Sequence, residues 1–427
     1  MEITKEEVLK ALSQIIDPDF QRDIVSLGFV QKLEIHGGRV SFDIELTTPA
    51  CPLSPVFQKQ AEELVGALRG VDEVVVTMTA QRRGPRLKAE DSGLQGVRSI
   101  VAVSSCKGGV GKSTIASLLA RTLAGRDLSV GLLDMDIYGP SIPTLFNLHK
   151  PDVFATPENR MIPVESEGLK LMSFAFLAGD GPMVLRGPMV SQYVQKLLHE
   201  VEWGDLDVLV LDLPPGTGDI QLTISQSIQV DGSVIVTTPH QLSLTDVRKG
   251  ILMFEKVNVP VLGVIENMAW FECDSCTKRH YLFGDAGAKT IETRFGLKTL
   301  AELPLSQSLR EEHADALTDS VIRALGKESI QKKESPEIDF DASSITLRWL
   351  DGKKTVSVPN DVLRKSCACA LCIDEMSRRP ILDPASVPND IHAVKIETIG
   401  NYAIAVDWSD GHNSGFFPYK TIQELAR

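Results

Sequence analysis

The feature that most restricts the fold is a strand-like apolar run, Ile100–Val103, that feeds a glycine-rich turn and then the helical stretch Ile115–Leu123. The turn reads Ser104-Ser105-Cys106-Lys107-Gly108-Gly109-Val110-Gly111-Lys112-Ser113-Thr114. A glycine turn between a strand and a helix start gathers backbone N–H groups and the positive end of the helix dipole around an anion. Gly108, Gly109 and Gly111 permit the tight turn, Lys112 reaches β- and γ-phosphates, and the Ser113 hydroxyl suits Mg²⁺. The usual motif opens on glycine. Here Cys106 stands in that place, and a second lysine, Lys107, follows it. Two lysines framing Gly-Gly-Val-Gly distinguish this loop from a merely structural glycine turn.

Such a turn belongs at the end of a parallel strand. Near-continuous apolar runs at Ile100–Val103, Val130–Leu133, Val208–Leu211, Val234–Val236 and Val261–Ile265 alternate with helical segments. They predict a central α/β domain over residues 98–326, a doubly wound parallel sheet covered on both faces. Two of the runs end in acid: Asp134-Met135-Asp136, and Asp212-Leu213-Pro214-Pro215-Gly216-Thr217-Gly218-Asp219. Carboxylates at the C-terminal ends of such strands line the ligand crevice. Asp212 is expected to serve Mg²⁺, Asp136 to position the attacking water, and Asp134 to cap a helix.

At 427 residues the chain exceeds one ordinary domain. Residues 1–82 read as a small α/β domain. Thr4 and Glu7 form a capping box ahead of Val8, Leu12, Ile15 and Ile16, whose spacing predicts one helix face. Val40, Phe42, Ile44 and Leu46 alternate with polar residues as in a half-buried strand. The loop Thr47-Thr48-Pro49-Ala50-Cys51-Pro52, a helix to about Leu68 and a strand over Val74–Met78 complete the unit. Residues 81–96, with Arg82, Arg83, Arg86 and Lys88, read as a solvated linker, and Lys327–Asp341 as a second one. Residues 342–427 read as a small β-rich domain, where Ile345–Leu350 and Thr355–Val358 flank the hairpin signal Asp351-Gly352.

A net charge of −13 argues against a nucleic-acid partner. No apolar run approaches the ~20 residues needed to span a bilayer, so no membrane partner is expected. Met1–Glu7 has no charged segment followed by an apolar one, and no secretory leader is expected. A reducing, cytoplasmic setting follows, or the plastid stroma for a processed form, and the seven cysteines are read as free thiols or metal ligands. Cys273-Asp274-Ser275-Cys276 supplies two thiolates, whereas tetrahedral zinc or a four-iron cluster takes four ligands. The pair can be a redox dithiol, half of a zinc ribbon, or half of a site shared across a symmetry axis. Cys51, near a helix start, is expected either to be an activated thiol or to pack. Cys367-Ala368-Cys369-Ala370-Leu371-Cys372 with His412 matches a closed zinc set of three thiolates and an imidazole, with an iron–sulfur role as the second reading.

Cys106–Thr114, Asp136-Ile137-Tyr138-Gly139-Pro140-Ser141 and Asp212–Asp219 resemble the deviant Walker A, switch I and switch II of the Mrp/ApbC-type iron–sulfur carrier ATPases. These are relatives of the MinD/ParA ATPases and the nitrogenase iron protein. The resemblance implies an ATP hydrolase that works as a homodimer, with Lys107 crossing to the partner's nucleotide. It also implies Asn267, in Glu266-Asn267-Met268, as the residue that reads adenine. It selects the shared-site reading of Cys273 and Cys276, a bridging [4Fe-4S] cluster passed between cluster donors and apo iron–sulfur clients. The Cys51 loop is similar to the metal–sulfur cluster assembly domain. The tail around Trp408-Ser409-Asp410-Gly411-His412 resembles the small zinc domain of γ-butyrobetaine hydroxylase-type enzymes. The three-part order is similar to that of the plastid high-chlorophyll-fluorescence iron–sulfur scaffolds. Two other functions share the loop. A MinD/ParA-type positioning ATPase would need no CxxC pair, and an ATP-driven electron donor would keep its cluster.

Overall fold

The computed structural model describes residues 3–426 apart from 81–92, 149–150, 178–186, 217–220, 222, 225–226, 240–241, 274, 277, 285–286, 307–308, 332–335, 350–354, 370, 374–378, 389 and 400–401. The basic stretch Arg82–Lys88, Thr217-Gly218-Asp219 and the Asp351-Gly352 turn lie outside the described residues. Contacts divide the chain into two units: Met1–Pro85 with Asp319–Ile330, and Arg86–Thr318 with Gln331–Arg427.

In the first unit the helix Lys5–Leu12 starts on the expected capping box: Glu7 N donates to Thr4 Oγ1 at 3.3 Å and Thr4 N to Glu7 Oε2 at 3.0 Å. Val8, Leu12 and Ile15 are buried. Ile16 is 53% exposed, because the helix stops at Leu12 and Ile16 opens the short strand β1 (Ile16–Asp17), paired with β2 (Arg22–Asp23). A three-stranded sheet follows, β3 (Val30–His36), β4 (Arg39–Leu46) and β5 (Glu73–Ala80), with β3 antiparallel and β5 parallel to β4. The helix Ser54–Gly66 joins the parallel pair and buries Phe57, Ala61 and Val65 against Val40, Phe42, Ile44 and Leu46. Asp319–Ile330 belongs to this unit: Lys327 Nζ lies 3.1 Å from Asp19 Oδ1, and a Cβ at Gly326 would stand 2.7 Å from Thr47 Oγ1. The stretch read as the second linker is therefore helical through Gln331, the end of the helix Glu311–Gln331, and a strand begins at Glu337.

The second unit is built on nine strands: β6 (Val97–Ser104), β7 (Val130–Asp134), β8 (Val164–Ser166), β9 (Leu169–Ser173), β10 (Leu206–Asp212), β11 (Gly232–Thr237), β12 (Val261–Glu272), β13 (Arg279–His280) and β14 (Thr299–Pro304). Seven run parallel in the order β14-β12-β11-β6-β10-β7-β9, with β8 and β13 added antiparallel. All five apolar runs read from the sequence lie in this parallel core. In register, Asp212 faces Val103 on one side and Asp134 on the other, so both acids reach the sheet edge where β6 enters the glycine loop.

The C-terminal residues form two antiparallel sheets, β15 (Glu337–Phe340), β16 (Ser344–Arg348) and β17 (Thr355–Pro359), then β18 (Ala393–Ile399), β19 (Ala403–Trp408) and β20 (Phe416–Pro418). β16 and β17 pair antiparallel, Arg348 with Thr355, on either side of the hairpin signal. The second sheet shares the core of the nine-stranded domain: Ile399, Ala403 and Phe416 cluster with Val247, Ile291 and Phe295. The Phe295 and Phe416 rings meet edge to face at 5.9 Å. Continuous apolar burial, not a linker, joins these parts.

Candidate nucleotide site and cysteine centres

β6 delivers the loop Ser105–Gly111 to the helix Lys112–Ala124, whose Ile115, Ala116, Leu119, Ala120 and Leu123 are buried against the sheet. Gly111 caps that helix at φ +88°. Asn267 Nδ2 donates to the Val110 carbonyl at 2.9 Å, and a Cβ on Gly111 would fall 2.3 Å from the same nitrogen. Glycine is thus required there twice, by conformation and by the approach of Asn267.

Lys112 is buried. Its Nζ lies 2.5 Å from Asp212 Oδ1, 3.2 Å from Ser113 Oγ and 3.8 Å from Asp136 Oδ2. Burial pushes the Asp212 carboxyl above its ordinary range, with the Lys112 ammonium working against that shift. Asp212 Oδ2, also buried, has no hydrogen-bond partner among the described residues. Asp136 Oδ1 accepts from Gly139 N at 3.2 Å. Asp134 accepts from Asp136 N at 3.0 Å, Ile142 N at 3.3 Å and Ser173 Oγ at 3.1 Å. It thereby fixes the path from β7 into the helix Ile142–Leu145. Burial, and then the Asp212 charge, push its carboxyl up to about 7. Thr114 is exposed on the first helical turn, and Gly108 and Gly109 face open space. The arrangement offers two acids, a hydroxyl and an ammonium at one anion-binding loop, a set suited to a metal–nucleotide.

Cys106 turns its Sγ toward the helix Leu242–Lys256, where a Cβ at Gly250 would come within 2.8 Å of it. Cys106, Lys107 and Val110 share a small space with Ile235, Thr237 and Val247. Gln221, which sequence reasoning did not single out, is buried and donates through Nε2 to the Pro214 carbonyl at 2.5 Å. A glutamine in a helical stretch carries no signal of that role.

Cys273 and Cys276 sit at the tip of the β12–β13 hairpin, with Cys273 N donating to the Lys278 carbonyl at 3.0 Å. Cys276 is exposed and Cys273 half-buried. Trp270 anchors the hairpin, with the Arg279 guanidinium 4.4 Å from its ring and Tyr281 and His313 each at 6.5 Å. Phe271, Leu282 and Phe283 are exposed around it.

Cys367, Cys369, Cys372 and His412 converge, their ligand atoms all within 4.8 Å of one another. His412 Nε2 lies 3.3, 3.5 and 3.8 Å from the three sulfurs in turn. The Cys367 partnership, then the His412 contact, hold the Cys369 thiol well below its ordinary range, and Cys367 is pushed up in exchange. Buried Arg364 donates from Nη1 to Cys372 Sγ at 3.5 Å and from Nε to Asp410 Oδ2 at 2.9 Å, while Asp410 Oδ1 accepts from His412 N at 3.0 Å. Cys51 differs from the activated thiol its loop suggested: it precedes the helix start at Ser54, and burial pushes it up to about 11. None of the seven cysteines is paired in a disulfide.

Residues 96–336 match the NUBPL iron-transfer P-loop NTPase family. The chain belongs to that family. This NUBPL-family chain also matches an iron-sulfur cluster assembly protein family over residues 5–76 and a gamma-butyrobetaine hydroxylase-like N-terminal domain over 337–423. It is 41% identical over 449 residues to the chloroplastic Fe-S cluster assembly factor HCF101 of Oryza sativa subsp. japonica, covering 100% of this chain and 84% of the relative. It is 41% identical over 314 residues to an iron-sulfur cluster carrier protein of Synechocystis sp., covering 72% of this chain and 89% of that one. Among solved structures, a nucleotide-binding protein in complex with ADP from Archaeoglobus fulgidus is 39% identical at a TM-score of 0.45, covering 55% of this chain and 90% of its own.

Proposed function

We propose that this NUBPL-family protein is an ATP-dependent iron–sulfur carrier. It holds a [4Fe-4S] cluster as cargo on Cys273 and Cys276 of two copies of the chain and releases it to apo iron–sulfur proteins in step with ATP hydrolysis. The observation that carries this reading is β12. One strand places Asn267 on the glycine loop and, six positions on, presents Cys273 at an exposed hairpin tip. A rearrangement of the loop around nucleotide thus has one strand, irregular between Glu266 and Trp270, through which to reach the thiols.

The roles in this reading are those the family resemblance implies, and the contacts of Lys112, Asp212 and Asn267 are in keeping with them. Lys112 neutralises the transferring phosphate, the backbone from Cys106 to Thr114 cradles it, and Lys107 acts on the nucleotide of the second copy. Asp136 orients the attacking water, and Asn267 exchanges its Val110 contact for the base. The unpartnered Asp212 Oδ2 beside Ser113 Oγ fits Mg²⁺, held by these two residues. When bound there, Mg²⁺ neutralises phosphate charge. Two thiolates per chain meet the four-ligand demand of the cluster only in a pair of chains, and Phe271, Leu282 and Phe283 provide apolar surface beside the hairpin for that pairing. Seven cysteines without a disulfide suit a reducing compartment, cytoplasm or plastid stroma, the latter in keeping with the chloroplastic relative. No described helix is long and apolar enough to cross a membrane, and with a charge of −13 the reading includes neither membrane nor nucleic-acid partner.

The tail centre is read as structural zinc. A tetrahedral ion with Zn–S of about 2.3 Å and Zn–N of about 2.0–2.1 Å sets nitrogen and sulfur ligands roughly 3.5 Å apart. The His412 distances of 3.3, 3.5 and 3.8 Å have that scale. A four-iron cluster seats each ligand on a different iron and spreads them further. Buried Arg364 offsets the excess charge of three thiolates over one divalent ion.

Anaerobic reconstitution tests both readings. About four irons and four sulfides per dimer, lost to an apo-ferredoxin faster with ATP, support the carrier. A cluster that stays bound through turnover makes the protein an electron donor instead, and absence of iron overturns the reading. Zinc at one per chain supports the tail assignment, and iron with sulfide on the tail cysteines refutes it.

A further inference from the structure

We infer that Arg248 is a positioning residue through which the metal-loaded tail centre sets the geometry of the glycine loop. The inference rests on the tail holding a metal, and goes beyond it by joining that centre to the nucleotide site.

The segment His412–Phe416 has two sides. His412 lies on the three thiols, and Gly415 packs so closely on one of them that a Cβ there would stand 2.8 Å from Cys367 Sγ. Between these two, the Asn413 carbonyl accepts from Arg248 Nη2 at 3.0 Å. Phe416 then receives the Arg248 guanidinium at 5.4 Å and the Phe295 ring at 5.9 Å. Five residues thus carry the tail's ligand on one side and a grip on the helix Leu242–Lys256 on the other.

That helix is equally two-sided. Arg248 meets the tail, while Val247 and Gly250, three apart and therefore on one face, meet the glycine loop. Val247 is buried beside Cys106, Lys107 and Val110, and Gly250 is in contact range of Cys106 Sγ. Packed interiors do not yield smoothly, so a displacement of the helix is passed to the loop rather than absorbed. With metal bound, His412 and Cys367 are tied together and the Asn413 carbonyl is held where Arg248 can use it. Without metal, three thiols and an imidazole lose their common centre and that carbonyl is released. Arg248 belongs neither to the glycine loop nor to the four tail ligands, and acts through Val247 and Gly250.

The test uses the full-length protein loaded with zinc and free of iron. A fluorescent ADP analogue is titrated before and after a chelator removes the zinc, and zinc affinity is measured by competition with and without ADP. Removal of zinc should weaken ADP binding about tenfold, and ADP should tighten zinc by the same factor, since binding couplings are reciprocal. Arg248→Met keeps an apolar stem on Phe416 but loses the bond to Asn413. It should hold one zinc per chain, show the weak ADP affinity in both states, and lose the reciprocal effect. Arg248→Lys, which retains a donor, should recover part of it. Zinc bound at full stoichiometry with ADP affinity unchanged by its removal overturns the inference while leaving the tail assignment standing. So does an Arg248→Met protein that keeps the coupling. The reciprocity measured on the unaltered protein decides the matter even if that variant fails to fold. A chain that takes up no zinc refutes the tail assignment, and the inference falls with it.

Discussion

Gly250→Ala isolates the contact between the helix Leu242–Lys256 and the glycine loop. The new methyl would lie 2.8 Å from Cys106 Sγ and 3.4 Å from Ile235 Cδ1. Non-bonded carbon atoms rest about 3.5–4.0 Å apart, and sulfur is larger, so Cys106 or the helix must shift by roughly 1 Å. Overpacking of this kind costs about 1–3 kcal/mol, while replacing a mid-helix glycine by alanine returns about 1 kcal/mol. The net stability change is therefore small, about 0–2 kcal/mol, and urea unfolding should show only a modest shift. The nucleotide site should feel far more. A misplacement of about 1 Å at a reacting centre can cost as much as 10²-fold in rate, so phosphate release at saturating ATP should fall by about ten- to a hundredfold. Cys106→Gly removes the sulfur that is struck, and should restore most of the rate in the double variant, giving a strongly non-additive cycle. Hydrolysis by Gly250→Ala at the unaltered rate, or a double variant as slow as the product of the two single ones, would refute the reasoning.

Lys112→Ala should bring ATP hydrolysis below detection. It should also destabilise the chain by about 3–5 kcal/mol, because Asp212 and Asp136 stay buried without their cation, and calorimetry beside a phosphate-release assay checks both. Cys273→Ala should lower iron per dimer to background after anaerobic reconstitution while ADP affinity is unchanged; retained iron would move the cluster elsewhere. Since burial holds Cys51 up to about 11, its thiolate is scarce below that pH. Iodoacetamide at pH 8, followed by peptide mass spectrometry, should label exposed Cys276 and spare Cys51, with Cys51 labelling rising as pH approaches 11.

Where an element is specified by its own neighbours, the sequence was enough to find it. The capping box of Thr4 and Glu7, the alternation from Val40 to Leu46 and the five apolar runs of the parallel sheet are such cases. The His412 centre was also legible, because ligand chemistry constrains residue type across 40 positions. Ile16 misled because the 3.6-residue period continues past Leu12 while the helix tightens there into the turn bonds of Gln14 N to Ala11 O and Ile15 N to Leu12 O. β3 has no fully buried residue, and an irregularity between Gln31 and Glu34 breaks its period, so that it alternates only from Leu33 onward. The docking of the tail on the helix Leu242–Lys256, the contact of Gly250 with Cys106, and the Asn267 bond to Val110 are all pairings across long sequence separations. No local period encodes them.

The closure of the first unit by Asp319–Ile330 has a consequence for how the chain comes off the ribosome. The β3–β5 sheet and its helix are synthesised by Ala80, yet the residues that meet Asp19 and Thr47 follow roughly 240 positions later. At about 5–20 residues per second, that is a delay on the order of 10–50 s. Through that interval the Asp19 carboxylate, the Thr47 loop and the neighbourhood of Cys51 stay open to water and to any thiol-reactive species. A nascent chain stalled between these two points should therefore be alkylated at Cys51, and one released after Gln331 should not.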